Sequence, residues 1–243
     1  MKLSLFIGCL TIAFVWGQQL PPDIDKCQAG DAICIAKTIT YILQSYPKGI
    51  PSIGLDAVDA ISFQNVIVSR MESSKLDLKF HTLTVRGFEN TTVLDAKGFD
   101  ADIPRVFELS AFTPLLRLEG EYETQGILLT MPIQGRGQAL VELKDCQFRC
   151  KVRAVEDQRL DGKRYLEIPK VKCLVDVQSM HINFDNLFNN KDLSDTMNDL
   201  ANNNWFEIWK TLRKGINSAL DQVSGTILRR VAKKFSYDDF FQE

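Results

Sequence analysis

The sequence is poor in the residues on which most catalytic and metal chemistry depends. It holds two histidines in 243 residues, His81 and His181. Neither belongs to a His-Glu-x-x-His pair, and the chain has no Gly-x-Ser-x-Gly elbow and no P-loop. His81 lies on the polar phase of a strand-like run and His181 between Met180 and Ile182, so both read as surface or structural residues. The cysteines, at 27/34, 146/150 and 173 beyond the leader, do not have the paired C-x-x-C spacing of a zinc site. No catalytic residue, metal or cofactor is expected. Excess charge is missing too: the formal net charge is −2, which lacks the electrostatic footprint of a nucleic-acid binder.

Long apolar runs are also absent. The longest, Leu3 to Trp16 within "MKLSLFIGCLTIAFVWG", falls short of the roughly 18 residues a membrane span needs. One lysine, an apolar stretch and Val15-Trp16-Gly17 make residues 1–17 a secretory signal peptide, cut before Gln18. Cys9 leaves with it, and the other cysteines then reside where disulfides persist. With no linker or low-complexity tract, residues 18–243 read as one secreted, extracellular domain, a monomer.

What is present is amphipathic pattern. "DAICIAKTITYILQSYPKG" predicts a helix with Asp31 as N-cap, an apolar face of Ile35, Ile39 and Ile42 or Leu43, and a stop at Pro47 and Gly49. Cys34 falls in its first turn and Cys27 just before it, so a Cys27–Cys34 bridge would tie the N-terminal segment to the helix start. From about 57 to 185 the period changes to two. Leu76, Leu78 and Phe80 share one face, then the phase switches to Leu83 and Val85. A second switch separates Ala139, Val141 and Leu143 from Cys146, Phe148 and Val152. Each switch predicts a β-bulge, and bulged long strands predict a curved sheet. "GRG" at 135–137 predicts a turn between two long strands.

From Trp205 to Phe235 apolar residues recur at helical spacing, enough for roughly 45 Å of helix. Asn204 and Glu207 form a capping-box variant at its start. Its other face is basic, seven Lys or Arg against Glu207 and Asp221. That is either a solvated face or one that contacts anionic lipid.

"LDGK" places Asp161-Gly162 between two β-like runs as a two-residue hairpin turn, with Leu160 facing Lys163. That register opposes Val155 to Ile168, Val152 to Val171 and Phe148 to Val175. It also opposes Cys150 to Cys173, within disulfide reach, and leaves Cys146 as a buried free thiol on the face of Phe148. "NTT" at 90–92 makes Asn90 an N-glycosylation acceptor.

Six motifs, "YPKGIP" (46–51), "GILLTMPIQGRG" (126–137), "DGKRYL" (161–166), "INFDNLFN" (182–189), "NNNW" (202–205) and "SYDDFF" (236–241), come in an order and spacing that resemble the takeout/juvenile-hormone-binding family of insect secreted proteins, nearer its takeout branch. Ser236 stands where that pattern has proline, and Cys146 and Cys150 are additional to it. The resemblance implies an α+β, TULIP-like tubular lipid-binding fold: a long C-terminal helix wrapped by a strongly curved antiparallel sheet. It also implies an elongated apolar tunnel holding a terpenoid or fatty-acid derivative, with circadian or feeding-related roles. Periodicity supplies the wall: Leu212, Ile216, Leu220, Val223 and Ile227 on the helix, and Phe80, Val141 and Phe148 on the strands. Periodicity alone leaves open whether these residues line a cavity or fill a core. A membrane-active or lipopolysaccharide-binding protein working through the basic helix is the alternative function.

Overall fold

A computed structural model describes residues 20–70, 75–103, 105–128 and 130–242. The leader expected over 1–17, with Cys9, lies outside them. Among the described residues the first helix is α1 (Ala32–Ser45), whose N-cap Asp31 accepts the Cys34 N–H at 3.0 Å. Seven antiparallel strands follow: β1 (Ile61–Ser69), β2 (Leu76–Arg86), β3 (Thr92–Lys97), β4 (Val106–Leu128), β5 (Met131–Gln158), β6 (Arg164–Asp176) and β7 (Ser179–Phe184). Two helices close the fold, α2 (Lys191–Asn203) and α3 (Trp205–Lys234). The sheet order is β1-β2-β4-β5-β6, with β3 on β4 and β7 on β5. The spine is the β4–β5 ribbon, which keeps a single register from Val106↔Arg153 to Leu128↔Met131.

The sheet is curled into a half-barrel by irregularities that cross it. The first phase switch is a bulge, a register shift of β2 against β4 between Phe80 and Thr84. Beside it, Gly120 is required because a Cβ there would lie 2.0 Å from the Thr82 carbonyl oxygen. The second switch is not a bulge. Register between β4 and β5 is unbroken there; instead Asp145 adopts φ 50°, standing opposite Pro114 between the pairs Thr113↔Cys146 and Leu115↔Lys144. Proline donates no N–H and so tolerates a kinked partner.

Two further expectations are corrected. "GRG" is no turn: β5 begins at Met131 and runs straight through it. Its glycines serve close approach, since a Cβ on Gly135 would strike the Tyr122 hydroxyl and Leu187, and one on Gly137 the Asp185 carboxylate. The capping box is not formed either. Asn204 makes no side-chain cap on α3 and turns its amide back to the Leu200 carbonyl (2.8 Å), because it also terminates α2.

The sheet's edges are sealed by helices. Asn198 and Asn202 of α2 each bond both backbone groups of a β7 residue: Phe184 at 2.9 and 2.9 Å, Ile182 at 2.8 and 2.9 Å. Asn217 and Asp221 of α3 accept the N–H groups of Val175 (3.1 Å) and Cys173 (2.6 Å) on β6. Thr40 of α1 accepts from Val93, and Gln44 donates to the Thr91 carbonyl, beside β3. At the opposite edge α3 presses on β1, where a Cβ on Gly215 would lie 1.6 Å from the Val68 carbonyl oxygen.

The core is divided along α3. One buried cluster surrounds Phe80, Tyr122, Leu143, Phe148, Ile208 and Leu212; a second holds Ile35, Phe107, Val152, Ile168, Ala232 and Tyr237. The helical glycines give a discriminating test. Gly215→Ala should cost about 1–3 kcal/mol, because backbone must move. Gly225→Ala meets only the flexible end of Arg229 and should be neutral or stabilising by up to about 1 kcal/mol. Urea denaturation measures both, and equal effects would contradict the close packing of α3 on β1.

Candidate functional site

Two of the six motifs, "DGKRYL" and "SYDDFF", meet each other. In "SYDDFF", Asp238 receives the Arg164 guanidinium at 2.6 and 2.8 Å and the Arg164 N–H at 2.8 Å; Asp239 receives Lys163 at 2.8 Å. Partial burial pushes the Asp238 carboxyl upward, but the Arg164 contacts outweigh it and hold the pKa below the ordinary 3.8. Ser236 accepts the Asp239 N–H (3.1 Å) and contacts its carboxylate (2.6 Å). Tyr237 is buried and donates to the Asp100 carbonyl at 2.6 Å. The tail is thereby clasped across one end of the half-barrel.

Opposite the tail lies α1. Its N-terminal approach is fixed by the Cys27–Cys34 disulfide and by Asp23, which accepts hydrogen bonds from Tyr41 (2.8 Å) and Tyr46 (2.5 Å). Between α1, the strands, the end of α3 and the tail is a cavity of about 250 Å³. Ile35, Ile39 and Ile42 line it from α1; Phe107, Val152 and Ile168 from the sheet; Leu228 and Val231 from α3; Phe235, Tyr237, Phe240 and Phe241 from the tail. Scaled from the roughly 150 Å³ that hold benzene, it has room for about ten carbon atoms. A smaller apolar void of about 30 Å³ lies at the other end, lined by Leu76, Leu128, Ile133, Met197 and Leu212 among others.

The residues expected to wall a tunnel occupy the stretch between. Phe80, Phe148 and Leu212 are buried in the first core cluster, with Val141, Ile216 and Leu220 packed against it. Leu220 also reaches the second cluster, and Val223 and Ile227 are half-buried. None of the eight lines the 250 Å³ cavity, and only Leu212 lines the smaller void. The lining from α1 and the tail was not read from sequence. Its signal was the apolar face Ile35/Ile39/Ile42, which looks like any helix packed on a sheet.

The structure joins Cys150 to Cys173, which face each other with Cα atoms 4.1 Å apart. The turn that led to this pairing is nevertheless different. Arg159 pairs with Lys163 around a three-residue loop, Leu160-Asp161-Gly162, with Gly162 at φ 78°. That shifts the register by one, so Val155 faces Glu167 rather than Ile168. A bulge where Ala154 meets both Ile168 and Pro169 shifts it back, restoring Val152↔Val171, Cys150↔Cys173 and Phe148↔Val175. Two irregularities cancel. Cys146 is a free, fully buried thiol whose pKa is pushed up to about 12 by burial. Asn90 is exposed at the end of a 3-10 turn, Phe88–Asn90. His81 contacts Glu123 at 3.1 Å on the outer surface, and His181 is exposed opposite Glu142.

A curled antiparallel half-barrel closed around a long helix, with an apolar hollow at one end, defines a tubular, TULIP-like fold. The profile of the haemolymph juvenile hormone binding protein (JHBP) family matches residues 5–242, and the chain belongs to this takeout/JHBP family. It is 25% identical to "Circadian clock-controlled protein daywake" of Drosophila yakuba, over 93% of this chain and 89% of that one. To the protein of the same name from Drosophila melanogaster it is 26% identical, over 92% and 88%. The crystal structure of Epiphyas postvittana Takeout 1 superimposes with a TM-score of 0.80 at 22% identity, covering 90% of this chain and 100% of that one, and shows the same fold.

The thiol assignment is checked by alkylation without reduction. Native protein should resist labelling at residues 27–173, and denatured protein should carry one label there, on Cys146. A labelled Cys150 would contradict the register. The tail clasp has its own test: because the Asp238 pKa is lowered in the fold, its contribution is complete above the ordinary aspartate pKa and is lost as pH falls through the depressed value. Proteolytic release of the tail should therefore rise below about pH 4, and Asp238→Asn should remove that pH dependence.

Proposed function

We infer that the chain is a secreted, extracellular carrier of a hydrophobic small molecule, a terpenoid or fatty-acid derivative, and not an enzyme. The observation that carries this reading is the 250 Å³ cavity, whose walls are almost wholly apolar. Its ligand is held chiefly by apolar burial, worth about 0.8 kcal/mol per CH₂. A longer ligand would have to part the packed side chains between Leu228 and Leu212: Ile227, Val223, Leu220 and Ile216 on α3, and Phe80, Val141 and Phe148 on the facing strands. The name of the daywake relatives, "Circadian clock-controlled protein", supports a place in clock-controlled physiology. Removal of the leader over 1–17 and a glycan on Asn90 belong to the same reading, as does a monomeric state.

The membrane-active alternative has less support. Of the seven cations on α3, Lys210 pairs with Glu207, Arg213 with Asp176 and Arg230 with Asp56, while Arg229 and Lys234 donate to the carbonyls of Ile168 and Pro51. Such residues are already committed within the fold. No helix among the described residues is long and apolar enough to cross a membrane.

Native mass spectrometry of protein secreted from insect cells should show a bound, extractable hydrophobic molecule at one per chain. Delipidated protein that binds neither a juvenile hormone nor long-chain fatty acids would overturn the reading, as would sedimentation with anionic vesicles in place of ligand binding. Glycosidase treatment of the same material should increase its mobility on gels, and unchanged mobility would remove the glycan from Asn90.

A further inference from the structure

The cavity beneath α1 contains one hydroxyl that the fold uses weakly. Thr38 lines it from α1, and its Oγ1 donates to the Asp25 carbonyl at 3.4 Å and lies 3.3 Å from Cys27 Sγ. The bond to Asp25 is long and the disulfide sulfur is a weak acceptor, so the hydroxyl can turn to a ligand oxygen at little cost. The other polar groups in the lining are differently placed. Tyr237 spends its hydroxyl proton on the Asp100 carbonyl at 2.6 Å, and burial raises its pKa, which keeps the phenol neutral. Asp25 is exposed, on the N-terminal segment at the rim.

Charge of the opposite sign is missing from this lining. Among the described residues, no lysine, arginine or histidine lines the cavity from α1, the strands, α3 or the tail. Arg164, 5.9 Å from the Tyr237 ring, is already held by Asp238. A carboxylate brought inside would therefore lose its hydration without gaining a counter-ion, with the Asp25 carboxyl at the rim opposing it. A hydroxyl, ester or epoxide oxygen would lose little and gain the Thr38 hydroxyl.

We propose that this cavity selects its ligand by charge: it takes a neutral molecule whose oxygen meets Thr38, and it takes a fatty acid only in the protonated form. The proposal rests on the carrier reading above and decides between the two ligand classes that reading leaves together. The titratable groups facing the ligand are Asp25 and Tyr237, and neither offers positive charge at any pH. Acid binding then follows the protonation of the ligand, while binding of neutral molecules is flat with pH.

The test uses full-length delipidated protein with three probes matched to the cavity's size: decane, 1-decanol and decanoate. Displacement of an apolar fluorophore reports each. At pH 7.5 decanol should bind at least about tenfold more tightly than decanoate, since a carboxylic acid of pKa near 4–5 is almost wholly ionised there. The gap should narrow as pH falls to 5. Thr38→Val should weaken decanol by about five- to tenfold, the value of one hydrogen bond, and leave decane unchanged. Thr38→Ser, which keeps the hydroxyl, should restore decanol binding and shows that the variant's defect is not misfolding. Decanoate binding as tightly as decanol at pH 7.5 overturns the proposal, as does Thr38→Val weakening decane and decanol alike. In either case decane binding leaves the carrier reading standing. Failure of all three probes to bind overturns both.

Discussion

The fold depends on a match between two repeats. Side chains four residues apart on a helix are about 6 Å apart along its axis, and alternate residues of a strand are about 6.8 Å apart. A pair at i and i+4 can therefore satisfy the outward-facing backbone groups of a strand at j and j−2. The chain uses this three times: Thr40 and Gln44 on Val93 and Thr91, Asn198 and Asn202 on Phe184 and Ile182, Asn217 and Asp221 on Val175 and Cys173. Without these contacts the outer edges of β3, β7 and β6 would present unpaired backbone to solvent or to other chains. With them, the helices act as surrogate strands, and a sheet that never closes on itself is nevertheless closed.

That mode of closure shapes the interior. A helix fixed by its polar side chains to one sheet edge, and by Gly215 to the other, sits at a set distance from the concave face. Where large side chains fill that distance, as Tyr122, Phe148 and Trp209 do, the core is solid. At the other end the gap is spanned by α1 and the tail, which are anchored by a disulfide and by ion pairs at their margins. Anchoring at the margins leaves the middle unfilled, and the 250 Å³ hollow is the result. The apolar hollow and the edge closure are in this sense one design.

Much of the architecture was legible because period-two and helical patterns are long here: the strands between 61 and 184, the helix from Trp205, and the facing of Cys150 with Cys173. The failures have physical causes. The helix α2 was unread because "KDLSDTMNDLANN" is mostly polar; it is held by asparagines bonded to β7, not by a broad apolar stripe. "GRG" has the composition of a turn, yet its glycines admit Asp185 and Leu187, a contact between distant segments that no local pattern encodes. The hairpin loop is one residue longer than expected, and a bulge at Ile168-Pro169 that was not expected shifts the register by one in the opposite sense, so the cysteine pairing survived an error in its premise. The cavity lining was least visible, being assembled from residues 20–42, 99–109, 152–168 and 228–241.

Amide hydrogen exchange at the sealed edges tests the account most directly. The N–H groups of Cys173, Val175, Ile182 and Phe184 point away from the β5 ladder and toward helix side chains. They should exchange as slowly as amides inside the sheet, and Asn202→Ala should speed exchange at Ile182 while leaving Cys173 protected. Exchange at these four positions as fast as that of exposed loop amides in the unmutated protein would contradict closure by helix side chains.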